Sequence, residues 1–101
     1  RRKPAAMASY RLSPTAKEDL ERIWFYGLEI WGESAADRYI EAFFDQFEKI
    51  AAEPLLHQAV DEIRDGYRRC VCGRDNIYYR LDGENVEILA VLGQQDLDKW
   101  L

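Results

Sequence analysis

The sequence predicts an α+β protein in the order β-α-α-β-β-β, with an N-terminal helical hairpin packed on a small antiparallel sheet. Between residues 14 and 51, apolar side chains recur every three or four positions, which is typical of amphipathic helices. From residue 67 onward, three short apolar runs are separated by turn compositions. At 101 residues, the chain has the length of one domain.

The first helix is predicted to begin at Pro14 and to end at Gly32, after a short opening strand in "YRLSP". Ser13 is a good N-cap, and a proline at the first helical position costs nothing because its missing N–H would have no partner there. Glycine favours the C-terminal end of a helix.

The second helix is predicted to start with Ser34 and Asp37, which form a variant of the capping box, and to end before Pro54. Because so few residues connect the two helices, we expect an antiparallel hairpin.

The sheet is predicted from the runs 67–72, 77–81 and 86–92, which the turn compositions "GRDN" and "DGEN" separate. These turns indicate an antiparallel meander, and the apolar last run indicates a strand buried on both faces. Residues 55–66 have no long pattern and are predicted to form a connecting loop, and "DLDKWL" is expected to be a turn or helical stub.

The N-terminal residues 1–6 are expected to be an extension that precedes a natural start at Met7, with one domain over residues 7–101. No apolar run approaches the roughly 20 residues that cross a bilayer, so the expected location is the cytoplasm, without a membrane partner.

Charge is segregated along the chain, whose net charge is −5. Residues 14–65 carry five lysines or arginines against thirteen acidic residues, whereas residues 66–81 carry four arginines and one aspartate. An acidic chain does not favour direct binding to nucleic acid through its overall charge.

The sequence predicts no metal site, no cofactor and no catalytic residue. Cys70 and Cys72 lack the second ligand pair of a zinc site, and buried cysteines commonly act as small apolar residues. His57 is the only histidine and lies in the irregular segment, where a loop residue is the commoner role.

The arginines of "GYRRCVCGRDNIYYRL" divide by strand alternation. If Cys70 and Cys72 face the core, Arg68 does so as well, and a half-buried arginine needs a carboxylate partner. Arg68 and Arg80 are therefore candidates for structural ion pairs, whereas Arg69 and Arg74 are candidates for an exposed contact.

The motifs "LSPTAKEDLERIW" and "WGESAADRYI" are followed along the chain by Gly66-x-Arg68, Gly73-Arg74, Ile77-x-Tyr79-Arg80 and the run 86–88. In this order and spacing, the motifs resemble those of the ParE toxins of the ParE/RelE superfamily of type II toxin-antitoxin modules. The resemblance covers residues 10–96.

The resemblance implies a toxin of a plasmid-stabilisation or stress-response module, which inhibits DNA gyrase by binding and forms a hetero-oligomer with a ParD-like antitoxin. A RelE-like branch of the same fold implies instead an endoribonuclease that cleaves messenger RNA on the ribosome. A third alternative is a non-toxic chain that only binds an antitoxin.

In-line attack on RNA needs a base, an acid and cations, and the sequence has no lysine between Lys49 and Lys99. The segment "GQQDLDKW" offers no arginine or histidine for such a reaction. We therefore expect a protein-binding inhibitor. One departure from the ParE pattern is that ParE-like chains often have a basic residue or histidine at positions 92–95, where this sequence has Leu-Gly-Gln-Gln. The residues expected to contact the target or the antitoxin are Arg69, Arg74, Tyr78, Tyr79, Gln95 and Trp100, and the antitoxin-groove candidates are Trp24, Trp31 and Tyr39.

Overall fold

The computed structural model describes residues 9–93 and residue 97. The predicted extension 1–6 and, apart from Leu97, the predicted stub at 96–101 lie outside these residues. The elements are β1 (Tyr10–Leu12), α1 (Pro14–Trp31), α2 (Glu33–Ala52), β2 (Gln58–Ala59), β3 (Arg68–Cys72), β4 (Asp75–Asp82) and β5 (Asn85–Leu92).

The helical hairpin forms as the sequence predicts, with a different start for α2. Ser13 Oγ accepts a hydrogen bond from the Ala16 N–H (3.0 Å), which caps α1. Gly32 (φ +93°) joins the helices, because its N–H donates to Leu28 and its carbonyl accepts from Ala36. The predicted Ser34 cap is wrong, since Gly32 already starts α2 at Glu33 through its backbone.

The predicted α+β class and the antiparallel meander are confirmed, and the sheet has two further features. Its strand order is β1-β5-β4-β3-β2. β1 pairs in parallel with β5, which makes the sheet mixed, and β2 pairs with β3 inside the segment predicted to be a loop. Two residues are too few to show a strand period in the sequence.

A β-bulge at Leu89 changes the direction of the side chains in β5. Tyr79 pairs with Ile88 and Tyr78 pairs with Ala90, so Leu89 is the extra residue. Ser13 Oγ donates to the Leu89 carbonyl (2.9 Å), so one serine caps α1 and satisfies the bulge.

Both faces of the sheet are covered near the bulge. Phe43, Phe47 and Ile50 of α2 pack on one face, with Val86 and Ile88 among their neighbours. The other face holds a second cluster, and β5 is therefore buried on both sides as predicted. The members of this cluster are Val60, Tyr78, Ala90 and Leu92, with Ile63, Tyr67 and Leu97 against them.

Candidate binding site

A solvent-open cavity of about 290 Å³ lies where α1, α2, the β3–β4 turn and the end of β5 meet. Its walls combine aromatic rings with two arginines and one carboxylate. The lining residues are Arg22, Ile23, Tyr26, Trp31, Tyr39, Arg74, Asp75 and Gly93.

Tyr39 of α2 fixes the β3–β4 turn that forms one wall of the cavity. Its hydroxyl donates to Asp75 Oδ2 (2.9 Å) and accepts from the Arg74 backbone N–H (2.9 Å). The ring lies so close to Gly73 that an added Cβ would be 2.6 Å from Tyr39 Cε1 and Oη. Gly73 also has φ +61°, a conformation that favours glycine. The turn is thus held against the helix by geometry that only glycine permits without strain.

Arg74 has its backbone bound in this way while its side chain is exposed. Within residues 9–93 and at residue 97, its guanidinium has no hydrogen-bond or ion-pair partner. The structure therefore places a free cation at the cavity, and the sequence prediction of Arg74 as an exposed residue agrees with this placement.

Asp19 and Arg22 of α1 hold the strand end that forms another wall. Asp19 Oδ2 accepts from the Val91 N–H (2.9 Å), while Arg22 donates to Asp19 Oδ1 (3.2 Å) and to the Val91 carbonyl (3.1 Å). Both backbone groups of Val91 are therefore paired beyond the end of β1. Sequence reasoning missed Asp19, although a carboxylate on the core side of a helix was a signal for such a partner.

Burial raises the pKa of Asp19, and the hydrogen bond from Val91 and the nearby Arg22 oppose this effect. Burial also raises the pKa of Tyr39 to about 12, with the Arg74 N–H opposing and Asp75 adding to the rise. At neutral pH the Tyr39 phenol therefore keeps its proton.

Arg69, a predicted contact residue, is half-buried and donates to Gln58 Oε1 (3.2 Å) across the β2–β3 pair. This bond ties the short edge strand to the sheet. Arg69 does not line the cavity.

Tyr78 and Tyr79 are not exposed rings, contrary to the expectation for contact residues. Their exposed fractions are 1% and 0%, because both sheet faces are covered at this point. The Tyr79 hydroxyl donates to the Pro54 carbonyl (2.6 Å), and burial raises the pKa of Tyr79 to about 12. Alternation shows that two neighbouring tyrosines face opposite ways, but the sequence does not show that the second face is covered.

The two arginines predicted to form structural ion pairs, Arg68 and Arg80, have different kinds of partner. Arg80 pairs with Glu87, with Nη2 2.8 Å from Oε1, as predicted. Arg68 is half-buried, yet it has no carboxylate partner among the described residues and donates to the His57 carbonyl (2.6 Å) and the Leu55 carbonyl (3.4 Å). The carboxylate prediction for Arg68 is wrong, because backbone carbonyls of the preceding loop satisfy its donors.

The three groove candidates lie along the helical hairpin. Trp24 is half-buried, and its Nε1 donates to Asp37 Oδ1 (2.8 Å). Trp31 and Tyr39 contact each other edge to face, with centroids 5.4 Å apart, and both line the cavity. The structure therefore brings two of the three candidates together with Arg74.

The remaining candidates stand apart from the cavity or outside the described residues. Cys70 is buried, Cys72 is half-buried and both thiols are free, as expected for core residues. His57 contacts Tyr79, with ring centroids 6.3 Å apart. In the part of the chain that the structure describes, no group of three or more His, Cys, Asp or Glu side chains is suited to a metal ion.

Gln95 and Trp100, which were predicted as contact residues, lie outside the described residues. Among the described helices, none combines the length and apolar character that spanning a membrane requires.

The fold is shared with a solved chain described as "Chromosomal ParDE TA system from P. aeruginosa", with a TM-score of 0.76. The match covers 86% of this chain and 96% of that chain at 17% identity, so it shows the fold. Residues 10–97 match the family model described as "ParE toxin of type II toxin-antitoxin system, parDE". The chain belongs to this family.

Similar curated proteins have the same family name. "Toxin ParE1" of Mycobacterium tuberculosis, in two strains, is 37% identical over 94 residues, which cover 91% of this chain and 96% of that protein. "Toxin ParE1" of Caulobacter vibrioides is 42% identical over 88 residues, covering 87% and 91%. The predicted resemblance to ParE toxins is therefore confirmed.

Proposed function

We propose that this chain is the toxin of a two-component module, that it inhibits DNA gyrase by binding, and that a cognate ParD-like antitoxin holds it inactive. The observation that carries the proposal is the family match over residues 10–97, together with relatives named "Toxin ParE1". The proposed location is the cytoplasm, where gyrase acts on DNA.

The chemistry of the cavity favours binding over RNA cleavage. Cleavage of RNA requires one group that takes a proton and another group that donates a proton near neutral pH. Tyr39 keeps its proton because its pKa is about 12, and Asp75 already accepts that proton in a hydrogen bond. The Asp75 carboxylate also repels a phosphodiester.

The exposed surface of α1 supports a protein partner. Phe25, Tyr26, Ile30 and Trp31 are 60%, 54%, 56% and 40% exposed. Tyr26 and Trp31 line the cavity, and Ile30 lies one helical turn after Tyr26. Apolar and aromatic side chains grouped in this way are typical of protein interfaces. We call Tyr26, Ile30 and Trp31 the α1 apolar stripe.

A supercoiling assay with purified gyrase tests the proposal. We expect the purified chain to inhibit supercoiling or to cause cleaved DNA to accumulate. The antitoxin of such a module is expected to be encoded by the adjacent gene, and adding the product of that gene should reverse the effect. Full supercoiling activity at a large molar excess of the chain would contradict inhibition of gyrase.

The alternatives give different results in cells that express the chain alone. The gyrase mechanism predicts a DNA-damage response with intact messenger RNA. Cleavage of messenger RNA on ribosomes without DNA damage would favour the RelE-like alternative, and normal growth with tight binding of the adjacent product would favour a non-toxic binding partner.

A further inference from the structure

We propose that the cavity beside Arg74 receives one carboxylate together with a neighbouring bulky apolar side chain from the antitoxin. This inference rests on the proposed function and specifies where and through which chemistry the antitoxin binds. The carboxylate would pair with Arg74, and the apolar side chain would lie between the aromatic walls.

Arg74 is the cation of the cavity whose side chain has no partner among the described residues. The other arginine of the cavity, Arg22, is already bound to Asp19 and to the Val91 carbonyl. Arg74 has its backbone fixed by Tyr39 and its guanidinium unpaired in the described chain. A fixed backbone reduces the entropy lost when the guanidinium binds a carboxylate, and its planar donors match the two carboxylate oxygens.

The aromatic and aliphatic walls of the cavity favour a bulky apolar side chain next to the antitoxin carboxylate. Tyr26, Trp31 and Tyr39 supply three rings, and Ile23 supplies aliphatic surface. A volume of about 290 Å³ is at the low end for ligand pockets, so it suits one large side chain rather than an extended small molecule.

The charge of the site favours a peptide over a nucleic acid. Asp75 lies in the same cavity as Arg74, and the chain has a net charge of −5. Binding of a phosphate backbone requires several cations that neutralise successive phosphates. An arginine that has no partner in the described part of the chain and lies among aromatic rings instead fits a single carboxylate in an apolar context.

The α1 apolar stripe indicates the antitoxin as the source of that peptide. Tyr26 and Ile30 lie four and eight residues after Arg22, so the stripe continues from the cavity along one side of α1. An exposed stripe of this kind promotes aggregation unless a partner covers it most of the time. In a toxin-antitoxin module, the antitoxin is the partner bound in the resting state.

The affinity of two matched variants for the full-length product of the adjacent gene tests this inference. Arg74→Gln removes the free cation, whereas Arg38→Gln removes an exposed cation of α2 whose guanidinium is 3.4 Å from Ser34 Oγ. We expect Arg74→Gln to weaken binding about tenfold to a hundredfold and Arg38→Gln to leave it nearly unchanged. Thermal unfolding of both variants verifies that they fold.

A double-mutant cycle identifies the carboxylate. Each Asp and Glu of the adjacent gene product is changed to Asn or Gln, and binding is measured against the wild-type chain and Arg74→Gln. One acidic residue should weaken binding to the wild-type chain and have no further effect on Arg74→Gln. Additive effects at every acidic position would overturn the pairing.

The outcomes separate this inference from the proposed function. If Arg74→Gln binds the adjacent product as tightly as the wild type does, the cavity assignment fails, while gyrase inhibition by the wild-type chain is judged separately by supercoiling. If the wild-type chain does not bind that product at all, the antitoxin part of the proposed function and this inference both fail. If Arg74→Gln instead reduces binding of a 12-nucleotide single-stranded DNA and leaves the adjacent product unaffected, Arg74 is a phosphate contact and the inference is overturned.

Discussion

At one end of the β3–β4 hairpin, Arg68 is half-buried and donates to the carbonyls of His57 and Leu55. Near it, the Tyr79 hydroxyl donates to Pro54. At the turn end, Arg74 is exposed, its guanidinium has no partner among the described residues, and Tyr39 holds only its backbone. The two ends use the same residue types, an arginine and a tyrosine, but only the turn end leaves a cation and aromatic surface open.

This difference shows that residue type alone does not separate a structural arginine from a binding one. What separates them is whether unpaired backbone carbonyls lie within reach. The loop after α2 supplies such carbonyls to Arg68, whereas a tight turn closed by Gly73 supplies none to the Arg74 side chain. The next predictions test this contrast, from the largest expected effect to the smallest.

Gly73→Ala should have the largest effect on stability, because it damages the geometry of the turn end. The left-handed backbone costs about 1–2 kcal/mol for a residue with a Cβ, and the contact with Tyr39 adds about 1–3 kcal/mol. Urea unfolding should show a loss of about 2–5 kcal/mol in the free energy of unfolding. Gly83→Ala is the matched control, since Gly83 has φ +68° with nothing within 4 Å of an added Cβ, and it should lose only the backbone part. Equal losses for the two variants would contradict the close contact with Tyr39.

Arg68→Gln should lower the free energy of unfolding by about 1–2 kcal/mol, because it removes charged hydrogen bonds to two carbonyls. Arg74→Gln should change it by less than about 0.5 kcal/mol, since its side chain has no partner in the described chain. Chemical denaturation of the two purified variants measures both values. A larger loss for Arg74→Gln than for Arg68→Gln would reverse the assignment of the two ends.

Asp19→Asn should change the pH dependence of stability at the strand end that borders the cavity. Because burial raises the pKa of Asp19 above 3.8, the folded state holds its proton more tightly than the unfolded chain does. The stability that this proton contributes is present below pH 3.8 and is lost as the pH rises through the raised pKa. The wild type should therefore lose stability relative to Asp19→Asn over that rise, as measured by urea unfolding at a series of pH values.

Asp82→Asn is the control, because Asp82 should change the free energy of unfolding with pH in the opposite direction. The hydrogen bond from Arg11 lowers the pKa of Asp82, so its contribution is present above pH 3.8 and is lost as the pH falls through the lowered pKa. For each variant, the difference in the free energy of unfolding from the wild type is followed against pH. Differences that change in the same direction for Asp19→Asn and Asp82→Asn would contradict the raised pKa of Asp19.

The smallest expected effect is on the reactivity of the two thiols, because Cys70 is buried and Cys72 is half-buried against the core. Burial raises the pKa values of Cys70 and Cys72, and the reactive thiolate is thereby disfavoured. Ellman's reagent should react slowly with the native chain and rapidly in urea. Fast reaction of two thiols in the native state would show that this face of β3 is open.

The sequence predicted the helices and the meander because their signals are local. A serine-proline pair and Gly32 mark the ends of α1, and the turn compositions place the strands within one or two residues. The parallel pairing of β1 with β5 and the two-residue β2 depend on contacts distant in the sequence, so no local period reveals them.

The candidate site was predicted only in part, because some of its features follow from local sequence signals and others depend on contacts distant in the sequence. Arg74 in a turn is exposed by its position, and Trp31 and Tyr39 follow from the helical pattern. The burial of Tyr78 depends on a cover formed by Val60 and its neighbours, and the role of Asp19 depends on a strand 72 residues away. Tertiary packing determines both, and alternation within one strand does not contain that information.

Hydrogen exchange of the free chain and of its complex with the adjacent gene product tests most directly which end of the hairpin binds. We predict added protection of the backbone amides in residues 22–31 and 73–75 on complex formation, with residues 55–60 unchanged. Protection confined to residues 55–60 would contradict the assignment of the turn end as the binding site.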